Sequence, residues 1–298
     1  PIWYKRSLRP SGLQKGGIKI SIDSPGPGWI QEEKILDTWF SSGLWPLSTL
    51  GWSNIPKEME KYFPYDFEIT APEIKYLWIA RMIMISLYLE DQIPFKNMFF
   101  HGTLRDIQGR KFSKSLGNGI SPNDLRTSWG TDSVRMALYS YSAPGRDGRT
   151  SSQIMDERCR NFRNFSTKIR NIYRFIYELK PEQTLGFKNQ DLRFKSEDDK
   201  KLKEQLDKTI AAITKYLESY QLHLAIETLY EFIWHQFADI YIEKSKTRRA
   251  KAQAVLEYVF ESSLKLLHPF MPFLTEELWQ KLGRKEKSIM MTRWPEAK

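Results

Sequence analysis

Two lysines, Lys111 and Lys114, lie in the run Arg110-Lys111-Phe112-Ser113-Lys114-Ser115, which Gly109 precedes and Gly117 follows. Lysine ammonium groups are compact charges on flexible stems, and glycine admits backbone conformations that let a loop turn sharply. Ser113 and Ser115 add hydroxyl donors, and Phe112 is an apolar anchor for the loop. Such a loop can close over a polyanion, for example a chain of phosphates. The same residues also fit a solvated basic turn, because short motifs match by chance. Nearby, His101-Gly102 ends an apolar run, and Glu73 could accept hydrogen bonds from hydroxyl groups. Metal chemistry is not expected. His101, His223, His235 and His268 are dispersed, and Cys159 is the single cysteine, which also excludes a disulfide within the chain.

The elements that must carry these groups can be read from periodicity. Ile18-Lys19-Ile20-Ser21-Ile22 alternates and predicts a hairpin or edge strand. Asp66 to Thr70 reads as a short strand ended by Ala71-Pro72. Glu73 to Leu89 carries Ile74, Leu77, Trp78, Met82, Ile85 and Leu89 at helical spacing, and Asn97 to Gly102 reads as a second strand. Strand, crossover helix and strand imply a parallel sheet. Ligands of such sheets bind at the carboxyl ends of the strands, which places Thr70 to Glu73 and His101-Gly102 at one rim. Trp39 and Trp45 could line a pocket there, although tryptophan more often fills a core.

Beyond about residue 150 the pattern becomes helical. Phe162, Phe165, Ile169, Ile172 and Ile176 form an apolar stripe, with Arg160, Arg163, Arg170 and Arg174 on roughly the opposite face. A polar stretch from Pro181 to Lys195 precedes three more apolar series: Leu202 to Leu217, Leu222 to Phe237, and Ala250 to Leu267. Pro272 suits the start of a last helix through Trp279. The expected architecture is an α/β unit with parallel strands over residues 1–145, followed by an all-α bundle over residues 146–298.

The chain has 298 residues and a net charge of +10, which favours an anionic partner such as nucleic acid. Besides the helix face with its four arginines, Lys244, Lys246, Arg248, Arg249 and Lys251 form a second basic cluster able to meet phosphates. No apolar run has the length of a membrane span and no signal peptide opens the chain, so a reducing cytoplasm is expected.

His101-Gly102, Arg105-Asp106-Ile107-Gln108-Gly109 and Arg110 to Asn118 follow one another in an order that resembles the class I aminoacyl-tRNA synthetases. Pro1-Ile2-Trp3-Tyr4, Leu36-Asp37-Thr38-Trp39-Phe40-Ser41-Ser42 and Trp78 to Met84 extend the likeness. Asp239 to Glu243, Leu267 to Trp279 and Ser288 to Pro295 carry it through the helical part. Ala143-Pro144-Gly145-Arg146-Asp147 and Arg163-Asn164-Phe165 favour the valyl branch over the isoleucyl and leucyl ones. The resemblance implies a Rossmann-like class I catalytic fold followed by an anticodon-binding bundle. It implies ATP, accompanied by Mg2+, and valine as substrates, tRNA as partner, and a monomer.

On this likeness Lys111 and Lys114 would stabilise the pyrophosphate leaving group. His101, Gly102, Ser113, Ser115 and Glu73 would hold the nucleotide. Arg160, Arg163, Arg170, Arg174, Lys244, Lys246, Arg248, Arg249 and Lys251 would face tRNA. Ala71-Pro72-Glu73 departs from the family's Gly-x-Asp turn, and Pro72 removes a backbone donor there. The His-x-Gly-His helix start and the editing segment are not found in these residues. The chain alone is therefore expected to be inactive in amino-acid activation, and one alternative is half of a split enzyme, with a separate N-terminal catalytic half as partner. A stand-alone tRNA-binding module is the other alternative.

Overall fold

The computed structural model describes residues 1–5, 17–52, 57–113, 115–178 and 194–297. Lys114 and most of the polar stretch expected at Pro181 to Lys195 lie outside the described residues. The chain forms two compact units, Pro1–Met98 and Phe99–Lys298.

The first unit opens with an antiparallel sheet of β1 (Ile2–Lys5), β2 (Ile18–Ile20) and β3 (Trp29–Gln31), with β1 in the centre. Ile2 pairs with Ile20 and Tyr4 with Ile18 in one register, and Tyr4 with Ile30 in the other. The alternating run is therefore an edge strand. Its isoleucines are largely exposed, Ile18 at 74% and Ile20 at 80%.

Next come α1 (Thr38–Ser48), whose first turn is capped by the Asp37 carboxylate accepting from Trp39 N at 2.7 Å, and α2 (Lys57–Tyr62). A strand–helix–strand unit then follows the expected course. It comprises β4 (Tyr65–Thr70), a turn at Pro72–Ile74, α3 (Ala80–Glu90) and β5 (Phe95–Phe100). β4 and β5 are paired. Tyr65 N donates to Pro94 O at 3.0 Å and Lys96 bonds Asp66 at 2.7 Å, so the strands start side by side and run parallel.

The crossover differs from the expected helix in one respect. Lys75–Ile79 is a wide π-type turn. A wider turn carries more residues than an α turn and rotates the apolar face. Ile79 and Met82 are buried while Leu77, expected on the inner face, is 40% exposed. Trp45 is also exposed rather than core filling, with its ring set edge-on to Tyr65 at 6.0 Å.

The second unit begins with β6 (Leu104–Arg105), α4 (Pro122–Trp129), α5 (Thr131–Tyr139) and β7 (Gly148–Arg149), the two short strands pairing in parallel. The bundle follows. α6 (Ser152–Tyr173) runs on as a π-type turn to Glu178, α7 (Glu197–Glu218) comes next, and α8 (Leu222–Tyr230) is extended by Glu231–Ile242. Then come the single turn α9 (Glu243–Ser245), α10 (Arg249–Leu267) and α11 (Pro272–Leu282). Pro272 occupies the first turn of α11.

The expected stripes are the core. Phe165, Ile169, Ile172 and Ile176 of α6 and its extension meet Leu202, Leu206, Ile210 and Ile213 of α7, and Ile226, Leu229, Ile233 and Phe237 of the third series; each is at most 3% exposed. Burying a side chain of this size contributes roughly 1.5–3 kcal/mol. Asp132, at the start of α5, accepts from Phe273 N at 3.4 Å and Leu274 N at 2.7 Å and so caps α11. Arg135 donates to the carbonyls of Phe270 and Pro269 at 3.1 and 3.0 Å. These bonds tie α5 to the last helix of the bundle.

Candidate nucleotide and tRNA site

The lysine run begins in a tight hairpin. Arg105 and Lys111 face each other in an antiparallel bridge. Asp106 N donates to Arg110 O and Gly109 N to Asp106 O, both at 2.9 Å. Gly109 has φ +83° and Gly117 φ +61°, left-handed values that suit residues without a Cβ. The flanking glycines are thus turn residues, as their positions suggest.

The Asp106 carboxylate is the centre of this hairpin. It is 6% exposed. Oδ1 accepts from Arg110 N at 2.8 Å, and Oδ2 accepts from Arg110 Nε at 2.8 Å and from Asn118 Nδ2 at 3.0 Å. Burial pushes this carboxyl up, but the bonds from Asn118 and from the backbone and side chain of Arg110 outweigh it and hold it below the ordinary aspartate value. Asn118 works in three directions, since its Oδ1 also accepts from Ser113 N at 3.0 Å and its Nδ2 lies 3.4 Å from Lys111 O. Ser113 Oγ sits 3.1 Å from Ser115 Oγ and accepts from Leu116 N at 3.2 Å. Phe112 and Ser113 are half-buried while Lys111 and Ser115 are exposed. Lys111 thus occupies a defined backbone position on the surface.

The strand end before the loop is fixed by a second segment. Gly145 N donates to Phe100 O at 2.9 Å, and Gly148 N to Thr103 O at 3.1 Å. Asp147 accepts from Thr103 N at 2.9 Å and from Arg105 Nε at 2.6 Å. The bond from Arg105, then that from Thr103 N, holds the Asp147 carboxyl below the usual range. A Cβ on Gly102 would stand 1.8 Å from the Arg146 carbonyl oxygen, so no other residue fits. His101 is exposed, with Nδ1 2.9 Å from Gly102 O. It is bonded to backbone but not buried, which leaves its ring available to a ligand. Glu73 belongs to the first unit, in the turn before the crossover.

The structure brings Lys111, Ser113 and Ser115 onto one short loop, with His101 and Gly102 on the strand end that leads into it. Residue types alone gave no role to Asp106, Asn118 and Asp147, which hold these groups in place. Their signal was positional, one acid opening the Gly109 turn and one amide directly following Gly117.

The basic residues fall into two groups. Arg160, Arg163, Arg170 and Arg174 are all exposed along α6 and its extension. Arg170 is held by Glu277 through bonds of 2.7 and 2.6 Å, and Arg174 by Glu178 at 3.4 Å. Lys244 pairs with Asp198 at 2.9 Å and Lys246 with Glu243 at 2.6 Å. Arg248 and Arg249 turn inward. Arg248 bonds Asp199 at 2.7 Å. Arg249 lies 4.0 Å over the Phe175 ring and bonds the Phe175 carbonyl. Arg160, Arg163 and Lys251 make no ion pair with any described residue. No group of three or more His, Cys, Asp or Glu able to hold a metal occurs among the described residues.

Residues 19–151 match the family model for tRNA synthetases class I (I, L, M and V), and residues 199–298 match that for the anticodon-binding domain of tRNA ligase. Valine–tRNA ligase of Pseudothermotoga lettingae is 39% identical over 301 residues, covering 99% of this chain and 34% of the relative. That of Fervidobacterium nodosum is 42% identical over 272 residues, covering 89% of this chain and 31% of the relative. The chain thus spans about a third of the length of the curated relatives it matches. Among solved structures, the LeuRS–tRNA–LeuAMS ternary complex of Agrobacterium radiobacter K84 shares the fold with a TM-score of 0.74 at 21% identity, over 92% of this chain and 34% of that one. The chain thus carries a class I tRNA synthetase domain over residues 19–151 and an anticodon-binding domain of tRNA ligase over residues 199–298, and it is similar to valine–tRNA ligases along nearly its whole length.

Proposed function

We propose that this chain serves as the C-terminal catalytic and anticodon-binding portion of a valine–tRNA ligase. Such an enzyme activates valine with ATP and passes the valyl group to tRNA. Lys111 and Lys114 would meet the charge that develops on pyrophosphate, where electrostatic stabilisation is most effective. His101 and Gly102 would seat the adenosine, Ser113 and Ser115 would donate hydrogen bonds, and Glu73 would accept from the ribose. Mg2+ would enter with the phosphates of ATP, as part of the substrate. The boundary between the two portions would lie at 145/146, inside the second compact unit.

The observation that carries this reading is the 39% identity to a valine–tRNA ligase across 99% of the chain. The exposed apolar face of the crossover in the first unit is a surface that an N-terminal catalytic half would cover. Met84 is 68% and Tyr88 87% exposed there, and Ile69 of β4 is 51% exposed. tRNA would lie along Arg160, Arg163, Arg170 and Arg174 and meet Lys244, Lys246 and Lys251, with Arg248 and Arg249 shaping that surface from within. No helix of the described residues is long and apolar enough to cross a membrane. The protein would work in the cytoplasm as a monomer.

The test is valine-dependent exchange of pyrophosphate into ATP. The purified chain should show none, and adding an N-terminal half that carries His-x-Gly-His should produce it. Exchange by the chain alone would overturn the division of labour. Failure of every such half, combined with salt-sensitive tRNA binding indifferent to ATP, would favour the stand-alone RNA-binding module.

A further inference from the structure

We propose that Asn118 is a positioning residue for Lys111, working through the buried carboxylate of Asp106. Its amide joins three places in the loop: Asp106 Oδ2 at 3.0 Å, Ser113 N at 3.0 Å and Lys111 O at 3.4 Å. The residues it spans lie on both sides of Lys111. Asp106 in turn bonds the backbone and guanidinium of Arg110, each at 2.8 Å, so the residue before Lys111 is held as well. Asp106 is 6% exposed, which makes it a fixed point for a loop whose functional groups are at the surface. The amide suits this place because its nitrogen donates while its oxygen accepts. Alanine removes every bond, whereas aspartate keeps acceptance from Ser113 N but loses donation to Asp106.

The inference rests on the reading of this loop as a pyrophosphate site. It adds that Lys111 is effective only while its backbone is pinned from both sides. A displacement of about 1 Å in a binding group costs on the order of a hundredfold in rate. Among the described residues, the Arg110 guanidinium bonds Asp106 in this clasp and the Arg149 guanidinium lies beside Gly109. In Asn118→Asp two carboxylates would share the position, and one of them would hold its proton to an unusually high pH. The protonated carboxyl can donate to its neighbour and so replace the lost amide donor.

The experiment uses the full chain and inorganic pyrophosphate, titrated by calorimetry from about pH 8 to about pH 5.5, across which the shared proton should bind. Thermal unfolding of each variant is recorded alongside. Asn118→Ala should weaken pyrophosphate about tenfold at every pH. Asn118→Asp should weaken it as much at the alkaline end and recover toward the wild-type value at the acidic end. Recovery with pH is something a merely structural defect would not show. If Lys111→Ala abolishes binding while both Asn118 variants bind as the wild type does, the positioning role is overturned and the pyrophosphate site stands. Loss in both Asn118 variants without acidic recovery of the aspartate also overturns it. If neither the wild type nor Lys111→Ala responds to pyrophosphate, the functional reading fails and the positioning role falls with it.

Discussion

The Arg248 guanidinium donates to Oδ1 of Asp199 at 2.7 Å, joining the start of α10 to the first turn of α7. Asp199 is only 2% exposed. It also accepts from the Tyr241 hydroxyl at 2.7 Å and closes a capping box with Ser196 at 3.1 Å. One carboxylate thus connects α7, the extension of α8 and the segment leading into α10. A residue type that suggests phosphate contact here holds the bundle together.

Removing Asp199 should therefore destabilise the chain strongly. Asp199→Ala leaves Arg248 and Tyr241 without their acceptor and should cost about 3 kcal/mol, the scale for breaking a buried pair. Arg248→Ala should also lower the unfolding midpoint. Lys251→Ala should leave it unchanged, since Lys251 makes no ion pair with any described residue. Urea unfolding followed by circular dichroism separates the three.

The same site sets an acid limit. Burial pushes the Asp199 carboxyl up, but bonds from Arg248, Tyr241 and Ser196 more than offset this and leave it below the ordinary value. A depressed folded value means that the stabilisation is fully present above the unfolded value of about 3.9 and is lost as pH falls through the folded one. Stability measured from neutral pH downward should lose this contribution only below about pH 4. Asp199→Asn should flatten that part of the curve.

Gly102→Ala should damage the strand end that leads into the lysine loop. The added Cβ would lie 1.8 Å from a backbone oxygen, which cannot rotate away as a side chain would. Overpacking of this kind costs about 3 kcal/mol. The variant should melt earlier and bind inorganic pyrophosphate more weakly. A normal melt would show that the segment 145–147 moves aside freely.

tRNA affinity should track the unpaired cations of the bundle. Arg160→Glu and Arg163→Glu should each weaken binding and lower the salt slope by about one counterion. Arg170 is already held by Glu277, whose carboxyl Arg170 and then Lys281 pull down to about 2, so Arg170→Ala should have a smaller effect. Binding of tRNA measured by fluorescence anisotropy at several salt concentrations gives both quantities. Equal loss at Arg163 and Arg170 would refute this ranking.

Residue order was enough to read the helical stripes, the strand–helix–strand unit and the likeness to class I tRNA synthetases. Four amphipathic series, each with one apolar stripe, could bury those stripes only against one another, and Phe165, Ile169, Leu206 and Phe237 are the core they form. The parallel strand pair followed from the order strand, helix, strand, and the loop was legible because glycines flank it. What residue types could not say was how each charge is used. A lysine or arginine looks the same in a sequence whether it faces solvent or a carboxylate distant along the chain. The partners of Arg248 and Arg170 lie 49 and 107 residues away, so only the packing of helices decides their roles. The same holds for Asp106 and Asn118. Their spacing is local, but their function depends on a buried position that the fold of the loop creates.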